Sequence, residues 1–352
     1  MIKIKIYKIV LTGGPSAGKT KVLNAVKNNL ENLGYRVFTV SETARILLKD
    51  ENNKDYNKDY NDIKTFQDYM LKLQHLREDI IEELAKNSKC EKAIIIYDRG
   101  IFDNRAYLNS YKDFDDIMKK NNLSEIDALE KYDLVIDLIS VASMFKDKYQ
   151  NDSERLEDTE TANKLDIKTT TAWLAHRNLK LIKPTLNIDN KIDIAMNLVL
   201  DLLQNKKYNN EEVIPITSET YQKQLNLLNK ENYVRIETNN YSLTNLVSNN
   251  MNYNIIQKTL NEKEKFFMES YNVNDNDNEL YNYKIKIITK EQYEKLLTYY
   301  IIQKITNTKD IIYRDGFKIN KLRLLNDTDY KVVYEEPINE LYEENEKVFV
   351  KK

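Results

Sequence analysis

The sequence predicts an α/β fold with a parallel, doubly wound sheet, followed by a β-rich α+β region. Up to about residue 205, short β-branched runs alternate with longer helical patterns, which is typical of a parallel sheet with helical crossovers. The polar stretch from Asn205 to Glu212 interrupts this pattern, and Tyr- and Ile-rich strand-like runs follow it. A chain of 352 residues also exceeds the length of most single domains. We therefore predict two domains, residues 1–207 and 208–352.

Strands and helices alternate through the first domain. The strands are predicted at residues 5–12, 35–40, 93–98, 133–139 and 179–183, and the helices at 18–32, 62–87, 160–177 and 189–205. In the second domain, Asp315-Gly316 lies between two strand patterns, and this dipeptide predicts a β-hairpin.

The composition narrows the class of protein. The 54 Lys and Arg residues against 56 Asp and Glu residues give a net charge of -2, so no nucleic-acid partner is expected. The single Cys90 cannot form an internal disulfide, which favours a reducing, cytoplasmic compartment. The uncharged stretch near the N-terminus is too short for a signal peptide or a membrane span, so no transmembrane segment is expected. Peripheral association with membranes stays open.

A glycine-rich loop follows the first predicted strand and precedes the first predicted helix. Its residues are Gly13-Gly14-Pro15-Ser16-Ala17-Gly18-Lys19-Thr20, the spacing of a P-loop that binds ATP or GTP. The glycines permit backbone angles that point consecutive N–H groups at a phosphate, and the helix adds its positive end. Lys19 is predicted to bridge the β- and γ-phosphates, and the Thr20 hydroxyl to bind Mg²⁺. The alternative, a plain glycine-rich turn, leaves the Lys-Thr pair unexplained.

Asp98 and Arg99 follow the apolar run AIIIY, which predicts a buried strand. Ligands bind at the carboxyl ends of strands in open α/β sheets, so Asp98 is the candidate second ligand of Mg²⁺. Its alternative role is to cap a helix that begins near Asp103. Arg99 is a candidate to contact phosphoryl oxygens through its planar guanidinium, and a structural ion pair is the alternative.

Glu42 follows the second predicted strand and is the candidate base. A carboxylate there would lie beside the γ-phosphate and could accept a proton from an acceptor hydroxyl or hold a metal-bound water. Alternatively, Ser41 caps a helix whose first turn contains Glu42. Arg155 lies in a polar stretch before a helical pattern. In a lid it would offset charge on the transferred phosphoryl group, whereas on a solvated surface it would have no such role.

Four stretches together resemble one family. The first domain is similar to the AAA-like P-loop domain of translocation defect protein 14 and its relatives on the stretches IVLTGGPSAGKT, ENLGYRVFTVSETARILL, YDRGIFDNRAYL and the run from Ala162 to His176. This resemblance, over about residues 5–205, implies a fold like that of nucleoside and nucleotide kinases and an association with GTP. In the run Ala175-His176-Arg177-Asn178 only His176 matches the family, and the chain also departs from it at Lys183-Pro184-Thr185.

Two residues of the last motif have competing interpretations. Trp173 shares a helical face with Leu165, Thr169 and His176, which favours a core position over a base-stacking role. His176 could contact a phosphate or the carbonyl groups at a helix end.

The resemblance implies that the second domain is a degenerate CYTH-like domain, a β-rich tunnel related to triphosphate-binding metalloenzymes. Lys284 and Lys286 stand where active relatives carry acidic residues, and few carboxylates such as Glu335 and Glu336 remain. With Arg314 or Arg323, these lysines could line a cavity that binds an anion. The alternative is an edge strand protected by lysines.

These observations support two functional hypotheses. The first is a Mg²⁺-dependent, kinase-like phosphotransferase or NTP hydrolase that uses ATP or GTP. The second is a regulatory nucleotide-binding protein without turnover, whose second domain binds a phosphoinositide, another phosphorylated small molecule or a protein partner. A triphosphatase in the second domain is disfavoured because that chemistry requires several converging carboxylates.

Overall fold

The structure is a computed structural model that describes residues 5–48, 62–88, 90, 92–143, 159–206, 211–243, 251–273, 280–300 and 302–338. Within these residues the chain forms a five-stranded parallel sheet and an eight-stranded antiparallel sheet. The α/β fold with a separate β-rich C-terminal sheet is therefore confirmed. Among the helices of this described part, none is long and apolar enough to cross a membrane.

The parallel sheet has the strand order β2-β3-β1-β4-β5. Its strands are β1 Lys5–Thr12, β2 Arg36–Val40, β3 Lys92–Asp98, β4 Leu134–Leu138 and β5 Leu179–Ile182. All five lie where the β-branched runs predicted them. Because β1 lies between β3 and β4, the loop that follows β1 meets the ends of both neighbours.

Helices cover both faces of the parallel sheet. They are α1 Lys19–Asn32, α2 Thr43–Leu48, α3 Ile63–Lys86, α4 Asp103–Ala106, α5 Tyr111–Lys120, α6 Glu125–Leu129, α7 Thr159–Trp173 and α8 Ile188–Leu203. Residues of α1 and α8 pack with Ile9 and Leu11 on one face. Residues of α3, α5 and α7 pack with Val10 on the other, so alternate side chains of β1 enter two different cores.

Helix α7 ends earlier than its sequence pattern predicts. The pattern continues to residue 177, but the regular helix stops at Trp173. The His176 N–H donates to the Trp173 carbonyl, and the Asn178 N–H donates to His176 Nδ1. These bonds replace the next helical turn and direct the chain into β5.

The second sheet has the order β10-β9-β8-β7-β11-β12-β13-β6. Its strands are β6 Glu211–Pro215, β7 Tyr233–Leu243, β8 Asn252–Leu260, β9 Lys263–Val273, β10 Leu280–Ile288, β11 Ile302–Asp315, β12 Lys318–Leu325 and β13 Asp329–Glu335, with helices α9 Ser218–Leu227 and α10 Lys290–Tyr299. Asp315 pairs with Lys318 across a tight turn in which Gly316 has φ 58°. This turn is the predicted hairpin.

One buried hydrophobic cluster contains side chains from both sheets. Val234, Leu260 and Ile312 of the second sheet belong to the same buried cluster as Trp173. Buried ion pairs cross the same boundary, including one between Lys258 of β8 and Glu130 of the first domain. The second sheet is therefore packed tightly against the helices on one face of the first.

Candidate nucleotide-binding site

The glycine-rich loop joins the carboxyl end of β1 to the start of α1. Gly13 has φ 135°, and Gly18, the N-cap of α1, has φ 91°. Both angles lie in a region that favours glycine. A Cβ atom at Gly13 would lie 2.2 Å from the carbonyl oxygen of Leu138 in β4, so a side chain there is also excluded by space. The loop therefore has the backbone that the P-loop spacing requires.

Lys19 bends back over this loop. Its Nζ donates to the carbonyl oxygens of Gly13 and Gly14, at 2.8 Å each. Burial, with a smaller effect of the nearby Arg99 cation, lowers the pKa of Lys19 to about 8. Thr20 follows in the first turn of α1 and is exposed. The ammonium group therefore stands where a terminal phosphate would meet the loop.

Asp98 ends β3 directly beside the strand that carries the loop. It pairs in register with Leu11 of β1 and is 7% exposed. It lies close enough to Lys19 to interact with its charge. The Thr20 hydroxyl and the Asp98 carboxylate are the kind of oxygen ligands that Mg²⁺ prefers, so the donor set of this edge fits that ion.

Arg99 connects Glu42 and Asp103 with the loop. Its Nε donates to Glu42 Oε1 at 2.7 Å, and its Nη1 donates to Asp103 Oδ1 at 3.0 Å and to the Gly13 carbonyl at 3.5 Å. Arg99 has φ 71°, an uncommon backbone angle for a residue with a side chain. The ion pair that the sequence offered as an alternative is thus present, and it lies at the rim of the P-loop.

Glu42 lies before the first turn of α2, which begins at Thr43. Glu42 is therefore not an acidic residue of the first helical turn, as the alternative interpretation required. Ser41 instead accepts a hydrogen bond from Arg77 of α3. Glu42 points towards Arg99, and its side chain is 18% exposed. Arg155, the other candidate for charge stabilisation, lies outside the described residues.

Asp103 is a residue of the site that the sequence analysis considered only as a helix start. Its Oδ1 accepts from Thr12 Oγ1 at 2.5 Å and from Arg99, while its Oδ2 accepts from the Gly100 N–H at 2.9 Å and from Trp173 Nε1 at 3.2 Å. Asp103 is 3% exposed. Its buried carboxylate therefore orients the end of β1 and the guanidinium of Arg99. In the sequence, the only indication of this role is a second acidic residue five positions after Asp98.

Asp166 of α7 is the second residue whose role was missed. Its Oδ1 accepts from the Gly14 N–H at 3.1 Å and from the Ser140 N–H at 2.8 Å. It is 1% exposed. In the sequence, Asp166 lies on the same helical face as Ala162 and Trp173, which is buried. This position indicates a role for Asp166, because a buried carboxylate requires partners.

Trp173 and His176 belong to the core rather than to the phosphate site. Trp173 is fully buried and packs edge-on against Tyr132. His176 Nδ1 accepts from the Asn178 N–H, so its Nε2 donates to the Tyr132 carbonyl at 3.0 Å. Burial, with a smaller effect of Arg177, lowers the pKa of His176 to about 4, so the ring is neutral at pH 7.

The structure does not bring the four candidate anion-binding cations together. Lys284 and Lys286 are exposed on β10, which pairs with β9 alone among the described strands. The register across β9, β8, β7 and β11 puts them on the face opposite to Arg314 and Arg323. Arg323 makes a bidentate pair with Asp310, and Arg314 is buried against the first domain. This arrangement supports the alternative of an edge strand protected by lysines.

Comparison with known proteins identifies the family of the first domain. A protein family described as an AAA domain matches residues 8–191, just over half of the chain, and includes the P-loop, Asp98 and Asp166. No curated protein matches the sequence. A structure from Bacillus halodurans, provisionally called an adenylate cyclase, shares 12% identity over 37% of this chain and 81% of that chain, with a TM-score of 0.28. The PH1819 protein from Pyrococcus horikoshii shares 12% identity over 38% of this chain and 80% of that chain, with a TM-score of 0.30.

Scores this low carry no conclusion about fold or function, whereas the family match agrees with the geometry of the loop. The P-loop domain indicates nucleotide binding. The chain therefore belongs to the AAA domain family, with a P-loop NTPase-like domain over residues 8–191.

Proposed function

We propose that the chain binds ATP or GTP with Mg²⁺ and transfers or hydrolyses the terminal phosphoryl group. The observation that carries the proposal is the shared contact of Lys19 and Arg99 with the backbone of Gly13, at the edge of the sheet where Asp98 and Glu42 also lie. Two cations and two carboxylates at one P-loop are the groups that phosphoryl transfer requires.

Each residue has a distinct task in this proposal. Lys19 exchanges its bonds to the Gly13 and Gly14 carbonyls for bonds to the β- and γ-phosphates. Thr20 and Asp98 would hold Mg²⁺, and the ion would supply positive charge beside the phosphates. Arg99, oriented by Asp103, offsets charge on the transferred group, and Arg155 is a second candidate for that task.

Glu42 is the proposed base. Its carboxylate would accept a proton from an acceptor hydroxyl or orient the attacking water. The Arg99 guanidinium, 2.7 Å away, holds that carboxylate in position at the rim of the loop. Movement of Arg99 towards a phosphate would release the Glu42 carboxylate. The charge of Arg99 would still be partly balanced, because Asp103 also binds Arg99.

A second candidate is a regulatory nucleotide-binding protein without turnover. The buried contact of Arg314 with Asp166 favours it, because that contact joins the second domain to the loop. In this case the second domain, which we propose to be CYTH-like, would bind an anionic ligand such as a phosphoinositide or another phosphate compound, or a protein partner. Its position at a membrane would then be peripheral.

Product analysis separates the two candidates. Purified protein would be tested for retained nucleotide by mass spectrometry, then incubated with Mg²⁺ and γ-labelled ATP or GTP, with and without a panel of nucleosides. Labelled phosphate or a labelled nucleoside, lost in Glu42→Gln, supports the enzyme. A retained nucleotide with no product supports the regulatory protein, and neither retention nor product at any concentration contradicts both.

A further inference from the structure

A buried arginine of the second sheet reaches into the first domain behind the P-loop. Arg314 of β11 donates from Nη2 to Asp166 Oδ2 at 2.8 Å, and from Nη1 to Thr170 Oγ1 at 2.6 Å and to the Asp166 carbonyl at 3.2 Å. The side chain of Arg314 is 3% exposed and that of Asp166 is 1% exposed. Its Nε donates to the Gly316 carbonyl at 2.9 Å, so the hairpin fixes the guanidinium from the other side.

The same carboxylate of Asp166 also fixes the loop. Its Oδ1 accepts from the N–H groups of Gly14 and Ser140, which follow β1 and β4. A Cβ atom at Gly14 would lie 2.6 Å from that oxygen, so the close approach depends on glycine. One oxygen of Asp166 therefore faces Arg314, and the other holds the second residue of the P-loop.

Arg314 compensates the negative charge of a group of buried carboxylates that includes Asp166. Thr170 Oγ1 donates to Asp137 Oδ2 at 2.6 Å, so a second buried carboxylate lies within the same group. Burial raises the pKa of Asp137, and the Asp166 charge raises it further, whereas Arg314 opposes the shift. Lys191 also acts electrostatically on both acids, and its Nζ donates to the Ala17 carbonyl at 2.9 Å. Without Arg314, two buried carboxylates would depend on Lys191 for compensation.

We propose that Arg314 is a positioning residue of the nucleotide site, through which the second domain sets the conformation and the nucleotide affinity of the P-loop. The step from conformation to affinity depends on the nucleotide binding proposed above. Arg314 orients the Asp166 carboxylate, Asp166 fixes the Gly14 N–H, and the loop is thereby held open for phosphates. By linkage, a nucleotide that orders this loop also stabilises the docking of β11 on α7.

The matched control is Lys258 of β8. Lys258 Nζ donates to Glu130 Oε1 at 3.1 Å and to the Ala175 carbonyl at 2.8 Å, and the pair is similarly buried, at 9% and 1% exposure. It crosses the same domain boundary, and neither partner contacts the P-loop in these bonds. A general loosening of the two domains should therefore act equally through Lys258→Gln and Arg314→Gln, whereas the proposed path acts only through Arg314.

The test measures amide hydrogen exchange in the free, full-length protein, with Arg314→Gln compared with wild type and Lys258→Gln. We expect faster exchange in peptides that contain Gly14 and Ser140 for Arg314→Gln alone, because the Asp166 carboxylate loses its orientation. Unchanged exchange in those peptides, or an equal increase in Lys258→Gln, would overturn the proposal. This readout needs no nucleotide, so it distinguishes failure of this inference from failure of the proposed function.

A double variant distinguishes the proposed effect of Arg314→Gln from simple misfolding. Asp166→Asn combined with Arg314→Gln removes both charges and retains an acceptor oxygen for the Gly14 N–H. We expect the double variant to recover much of the protection from exchange that Arg314→Gln loses. If the two substitutions instead reduce protection additively, the proposal is contradicted.

Nucleotide titrations test the effect on affinity. Arg314→Gln should raise the nucleotide Kd by about 5-fold or more, as typical couplings do, whereas the Kd of Lys258→Gln should stay near that of wild type. Equal Kd values for all three proteins would refute the effect on affinity.

Discussion

Trp173 donates a hydrogen bond from its indole Nε1 to Asp103 Oδ2, at 3.2 Å, and thereby contacts the residue that orients Arg99 and Thr12. Trp173 is the only tryptophan of the chain, so its fluorescence has a single source beside the P-loop. The bond explains why an otherwise apolar core position is occupied by an indole, because a buried N–H requires an acceptor.

The first prediction uses this bond. Binding of ATP or GTP with Mg²⁺ should change the intensity or the maximum of the Trp173 emission, because phosphate contacts to Arg99 and Lys19 alter the charge around Asp103. The change should saturate with nucleotide, and Lys19→Ala should shift the titration to higher concentrations. A nucleotide-dependent change that is identical in wild type and Lys19→Ala would contradict it.

The second prediction concerns pH. The pKa of Lys19 is lowered to about 8, chiefly by burial, so the ammonium form that binds phosphates is lost as the pH rises through this value. The affinity for a triphosphate should therefore be full below about pH 8 and should fall above it, by at most about tenfold per pH unit. Titrations from about pH 7 to about pH 9.5 test this. Lys19→Met should bind more weakly with little dependence on pH in that range, and a flat wild-type profile would exclude the role.

The third prediction separates catalysis from binding. If Glu42 is the base, Glu42→Gln should lower turnover by about 10² to 10⁴ without weakening nucleotide binding. Its loss leaves Arg99 with Asp103, so the site becomes more positive and the nucleotide Kd should not rise. Turnover and Kd would be measured on the same preparation, with the exposed Glu83→Gln of α3 as control. Unchanged turnover in Glu42→Gln would remove Glu42 from the mechanism.

The fourth prediction concerns stability. Lys258→Met leaves Glu130 buried with Arg177, whose Nε donates to Glu130 at 2.7 Å, and removes a contact between the domains. Loss of one partner of a buried pair costs about 3–5 kcal/mol, and the remaining arginine should keep the cost at the lower end. The control Lys164→Met removes a pair exposed by 69% and 77% and should change stability by about 0.5 kcal/mol or less. Urea unfolding of both variants measures the difference, and equal midpoints would contradict it.

Local patterns predicted the parallel sheet and the P-loop because the residues that form them are close in sequence. The loop needs a strand, a helix and fixed glycine spacing within residues 5–32, and all of these are visible in the chain. The bonds of Asp166 could not be predicted in this way, because Gly14 lies 152 residues away and Arg314 lies 148 residues away. Such contacts depend on how the two sheets pack, which no local pattern specifies.

The face of a strand is harder to predict than its existence. Lys284 and Lys286 share a face of β10, as alternation requires. Whether that face also carries Arg314 depends on the pairing across five strands, from β10 through β9, β8 and β7 to β11. A shift of one residue in the register of any of these strand pairs would have put the lysines and Arg314 on the same face.

Equilibrium dialysis of labelled ATP and GTP with Mg²⁺ tests the central claim most directly. Wild-type protein should bind at least one nucleotide saturably, and Lys19→Ala/Thr20→Ala should bind it about tenfold to a hundredfold more weakly, because charge-assisted bonds to the phosphates are lost. Circular dichroism would establish that the variant is folded. A folded variant that binds both nucleotides as well as wild type would contradict the account.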